Sequence, residues 1–113
     1  MGETYHIAAG TQHTNVEVVQ LLCAVLDERL PDSPHVPHHQ AIHFVADRPG
    51  HDRRYALDIS KIGRELSWHP RETLETGLHK TVDWYLAHRG WVQAICSRPG
   101  YQEWLTTNYL RRG

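Results

Sequence analysis

Cysteine is scarce in this chain: Cys23 and Cys96 sit in apolar surroundings, without the C-x-x-C spacing of a redox or metal motif. Two unpaired thiols suit a reducing compartment. No window approaches the roughly 18 apolar residues of a membrane-spanning helix, and no basic stretch precedes an apolar one as in a secretory leader. A cytoplasmic protein with no membrane partner is the expectation. Charge of one sign is not in excess either. A net charge of −1 and a pI near 6.8 argue against nucleic acid or anionic membrane as a partner. The eight glycines never form G-x-G-x-x-G, so the phosphate-cradling turn of a dinucleotide-binding Rossmann domain is missing.

What remains describes one small domain spanning residues 1–113. That length buries one core but not two. Hydrophobic residues at 40% and charged residues at 22% exclude global disorder. The ten histidines make charge pH-sensitive, since full protonation takes the net charge from −1 to +9, well below about pH 6.

The order of elements reads as α/β, an α+β-like small lobe of short strands with about four to five helices. Residues 4–8, 42–46 and 54–58 carry the β-branched and aromatic bias of short strands. Asn15 is placed to cap a helix running to about Arg29, apolar on most faces and so expected between layers. The three prolines of residues 30–40 make an exposed, mobile loop. Asp58 is placed to cap a helix over residues 59–66. From Thr73, the stripe Leu74, Leu78, Val82, Tyr85 and Leu86 predicts an amphipathic helix ended by Gly90. Residues 91–96 suggest a short helix, Pro99-Gly100 a break, and Tyr101 to Tyr109 a last helix.

Residues 47–58, D-R-P-G-H-D-R-R-Y-A-L-D, hold three arginines and a histidine around a Pro-Gly turn. Proline fixes φ, glycine admits positive φ, and the guanidinium fork matches a phosphate in charge and shape. A phosphate or diphosphate site at this bend is one reading. A basic surface loop whose arginines pair with Asp47, Asp52 and Asp58 is the other.

The wording of this run resembles the signature near the C-terminus of dTDP-glucose 4,6-dehydratases, extended short-chain dehydrogenase/reductases. Gly2-Glu3-Thr4-Tyr5-His6-Ile7 is similar to the family's G-E-T-Y-N-I. Lys61-Ile62 through Trp68-His69-Pro70, Lys80-Thr81-Val82-Asp83-Trp84-Tyr85-Leu86, and Gly100-Tyr101 with Trp104 and Asn108-Tyr109 resemble three further segments in the same order. The resemblance covers the last third of the family's length.

It implies that Asp47, Arg48, Pro49, Gly50 and His51, with Arg54, Tyr109 and His6, bind the nucleotide sugar. Whether Arg53 or Arg54 reaches ligand is left open. At His6 the family has asparagine, whose amide both donates and accepts in a geometry imidazole does not share. The family is a lyase that uses NAD, but its Tyr-x-x-x-Lys pair is absent here: none of the five tyrosines has lysine four residues on. The chain is therefore expected to have no cofactor of its own and no catalytic residue. A dTDP-sugar is its expected ligand, weakly held at best by the isolated chain. The alternative is a stand-alone domain without catalysis, forming a homo-oligomer through the face that the Rossmann lobe covers in the family. His35, His38, His39 and His43 form a His-rich loop rather than an evolved zinc site, because 38-to-43 spacing suits no helix face and no cysteine completes a tetrahedral set.

Overall fold

A computed structural model describes residues 2–47, 49–52 and 54–110, with side chains through Asn108. Five α-helices follow one another: α1 (Asn15–Arg29), α2 (Ser60–Leu66), α3 (Leu74–Ala87), α4 (Arg89–Cys96) and α5 (Pro99–Leu105). A 3-10 turn at His38–Ala41 leads out of the loop after α1, and a π-turn at Thr106–Leu110 follows α5.

The expected α/β class is not what the chain adopts. Helix makes up 55% and strand none of the structure among the described residues. Residues 4–8, 42–46 and 54–58 run as irregular chain. The reason lies in what a strand requires. β-bias measures how a side chain fits a pleated, half-buried surface, and a strand exists only when a neighbour completes its ladder. The three segments do not pair with one another. The first is instead tied to α2 through side chains: Lys61 Nζ meets Glu3 Oε2 at 2.6 Å and the Thr4 carbonyl at 3.2 Å, and Tyr5 Oη donates to Glu65 Oε2 at 2.9 Å.

Helix ends follow capping chemistry, and they differ from the sequence expectation at three points. Thr14, not Asn15, caps α1: its hydroxyl accepts from the Glu17 N–H at 3.3 Å, and the Glu17 carboxylate accepts from the Thr14 N–H at 2.7 Å. This is a reciprocal capping box of the T-x-x-E type. Asp58 sits one residue before the cap of α2, where Ile59 stands, yet Oδ1 still accepts the Ser60 N–H at 2.8 Å. Gly90 lies inside α4 and does not end α3. His88 does, and it also begins α4: its N–H donates to the Trp84 carbonyl at 3.0 Å while its carbonyl accepts from the Trp91 N–H at 3.0 Å. The Trp84 and His88 rings stack at 4.2 Å across this corner. α4 ends at Cys96 and Pro99 opens α5 as its first-turn proline, so the expected break falls between the two helices.

α1 packs against α3 and the 3-10 turn, and α3, α4 and α5 follow in sequence. Arg29 at the end of α1 reaches Asp83 of α3 at 2.7 Å. The loop after α1 is mostly exposed, as expected, but pinned: Asp27 Oδ1 accepts the His38 N–H at 2.8 Å and lies 2.5 Å from His38 Nδ1. Those bonds, first from the His38 backbone and then from its ring, hold the Asp27 carboxyl below the ordinary carboxylate range.

The core is small. Among the described residues, the buried apolar side chains are Cys23, Val25, Ile62 and Val82. α1 is therefore not sandwiched: Val16 and Val19 remain 39% and 40% exposed. The radius of gyration is 17.8 Å, where a compact chain of this length has about 13 Å. The accessible surface is 9674 Å², against roughly 6,400 Å² for a folded monomer of this mass. Much apolar surface that a finished domain would bury is in water here.

Candidate functional site

Pro49 and Gly50 turn the chain between two irregular segments, and Gly50 takes φ +69°, a conformation open to glycine and strained for other residues. The reversal brings Asp47 and His51 together, with Oδ1 2.5 Å from Nδ1. The His51 side chain is 28% exposed and Asp47 73%, so the imidazole is turned inward while the carboxylate faces water.

Both belong to the wall of a cavity of about 530 Å³. Its polar part comprises Thr14, Asn15, His43, Asp47, His51 and Asp52, and its apolar part Val16, Val19, Ile42, Phe44 and Val45. The first turn of α1 thus faces the 47–52 turn, with the chain leaving the 3-10 turn between them. The volume falls in the range of small-molecule sites, which combine an apolar wall with a few polar groups. Among the described lining residues there is no serine, cysteine, lysine or tyrosine to attack a substrate. The arrangement can grip a ligand carrying both flat apolar and polar parts.

The expected site residues divide. Asp47 and His51 meet in the cavity, and Pro49 and Gly50 shape the turn between them. Arg54 does not line it: Nη1 donates to Gln12 Oε1 at 3.0 Å, tying the turn to the loop before α1. Among the described residues Arg54 pairs with no acid, contrary to the surface-loop reading. Asp58 spends its carboxylate on Ser60, whose backbone N–H, ahead of Arg64 and His6, keeps the acid below its ordinary range. His6 is exposed, on the Asp58 side and away from the cavity wall. Arg48 and Arg53 lie outside the described residues, as does the Tyr109 side chain.

Asn15, Thr14 and His43 are polar lining residues that the sequence alone does not place here. As the cap of α1, Asn15 would consume its side chain. Because the Thr14–Glu17 box does that work, the Asn15 amide stays available at the cavity. The T-x-x-E spacing was the signal that could have revealed it. His43 is the last histidine of the His-rich loop in sequence but lines the cavity. Among the described residues no three potential ligands cluster around a metal position, and His38 is committed to Asp27.

Comparison with known proteins adds to this geometry. Residues 1–81 match the family model described as GDP-mannose 4,6 dehydratase. The chain is 49% identical over 111 residues to a dTDP-glucose 4,6-dehydratase of Shigella flexneri, covering 98% of this chain and 30% of that protein. Identity to the enzyme of the same name from Salmonella typhimurium is also 49% over 111 residues. With that of Xanthomonas campestris it is 48% over 95 residues, 84% of this chain and 27% of the other. The chain thus spans about a third of the length of these relatives and corresponds to a C-terminal part of them.

Proposed function

This chain belongs to the GDP-mannose 4,6 dehydratase family, and from that premise we propose that it is the sugar-nucleotide-binding lobe of a dTDP-glucose 4,6-dehydratase, a lyase of deoxysugar nucleotide formation. The observation that carries the reading is the shared cavity. It joins the Asp47–His51 pair to Asn15 and to the apolar wall of Val16, Val19 and Phe44. A nucleotide sugar offers a flat base for the apolar wall and a diphosphate for the polar rim. In this reading the lobe clamps the ligand while another lobe, cytoplasmic like it, performs the chemistry.

NAD does not fit the residues present. Its pyrophosphate needs a glycine-rich turn between a strand and a helix N-terminus whose N–H groups are open. The segment before α1 has two glycines, Gly2 and Gly10, too far apart to form such a turn, and the Glu17 N–H at the start of that helix is already bonded to Thr14. The lobe is therefore assigned no step of hydride transfer or dehydration.

Titration calorimetry of the chain with thymidine diphosphate tests the proposal. Saturable binding that His51→Ala and Asn15→Ala weaken at least tenfold supports it. Binding unchanged in both variants would place the ligand elsewhere.

A second reading, self-association of the chain as a homo-oligomer, is favoured by its exposed apolar residues. Ile7, Phe44, Val45, Tyr55 and Leu57 are 50–83% exposed, and patches of several hundred Å² seldom stay solvated. The two readings use overlapping surface, since Phe44 and Val45 also line the cavity.

A further inference from the structure

The Asp47–His51 contact restricts where the imidazole can carry hydrogen. An ionised carboxylate accepts hydrogen bonds and cannot donate one. His51 Nδ1, 2.5 Å from Asp47 Oδ1, therefore bears a hydrogen. Two states satisfy this. The neutral ring then has a bare lone pair at Nε2, which accepts from a hydroxyl and repels a phosphate oxygen. The imidazolium donates from both nitrogens at once. An unconstrained neutral imidazole could turn an Nε2–H towards phosphate without gaining a proton, and Asp47 removes that option.

We propose that Asp47 is a positioning residue that holds the hydrogen of His51 on Nδ1, so that a phosphate group enters the cavity only together with a proton on Nε2. The inference rests on the sugar-nucleotide reading and deepens it by making binding proton-coupled.

The ionisable groups facing His51 act in opposite senses. Asp52, next in the chain and lining the same cavity, favours the charged ring as Asp47 does. His43, from the segment opposite, disfavours it when itself charged. The α1 side of the cavity, Thr14, Asn15, Val16 and Val19, carries no titratable side chain. With one proton taken up per ligand, affinity falls by up to about tenfold per pH unit wherever the free ring is neutral.

Two measurements on the chain test this separately. Long-range proton–nitrogen NMR of the histidine rings at pH 8 should show His51 hydrogenated at Nδ1, reverting to the usual Nε2–H form in Asp47→Ala. Calorimetry with thymidine diphosphate at pH 7.5, repeated in buffers of different ionisation enthalpy, should show close to one proton taken up beyond the background of His51→Gln. Asp47→Ala should lower that uptake.

Nε2–H as the main form in the unaltered chain overturns the inference. So does binding with no more proton uptake than His51→Gln, although the sugar-nucleotide reading then survives. The expected NMR form with no binding overturns that reading instead, and proton-coupled entry with it.

Discussion

Truncation of Phe44 to alanine separates the surface this chain exposes from the fold it maintains. The side chain is 83% exposed. A phenylalanine offers roughly 200 Å² for burial, so about 165 Å² remains in water. At about 25 cal/mol/Å², covering it with another chain gains about 4 kcal/mol per copy. That is an upper figure, because association also orders side chains and costs freedom of motion. Even half of it exceeds a tenfold change in Kd. The buried remainder, about 35 Å², is worth under about 1 kcal/mol to the monomer. Sedimentation equilibrium should therefore show the unaltered chain self-associating and Phe44→Ala weakened at least tenfold. Urea unfolding midpoints should stay close. Trp91→Ala, which removes a 51% exposed aromatic from the α3–α4 side, is the control and should leave association unchanged. A unaltered chain that stays monomeric at about 100 μM would refute the reasoning, and so would equal weakening by the control.

Three further outcomes are expected. Val82→Ala, in a side chain only 5% exposed, should cost about 2 kcal/mol in denaturant unfolding, a large share of a stability resting on so small a core. Thr14→Ala should cost about 1 kcal/mol by loss of the α1 cap, read as a lower thermal midpoint and reduced helical circular dichroism at 222 nm. Asp27, Asp58 and Asp83 all have carboxyls held below the usual value of 3.8 by hydrogen bonds in the fold. Their contribution is thus fully present above that value and lost as pH falls through the lower folded ones. Thermal melts should drop below about pH 4, and Asp27→Asn should shallow that drop.

The helices were readable because their determinants are local. The 3.6-residue stripe of α3, the Asp58–Ser60 start of α2 and the proline at the head of α5 act within a few residues of one another. The strands were not, because a ladder depends on a neighbour that the β-bias of residues 42–46 does not specify. One step of error at the head of α1 had a larger effect on the site than on the fold. Assigning the cap to Asn15 instead of Thr14 left the helix in place but hid an amide that faces the cavity. Half of the candidate site was legible in the D-R-P-G-H-D run. The Arg54–Gln12 bond, which takes that guanidinium away from the cavity across 42 positions in the chain, had no local signature.

His88 leaves no slack between α3 and α4. One residue closes the first helix and starts the second, so neither end has a spacer in which to pivot. The two helices should behave as a single bent rod, with the indole–imidazole stack as its brace. Anything that grasps α4 therefore pulls directly on α3, and through Asp83 and Arg29 on the far end of the helix whose first turn borders the cavity.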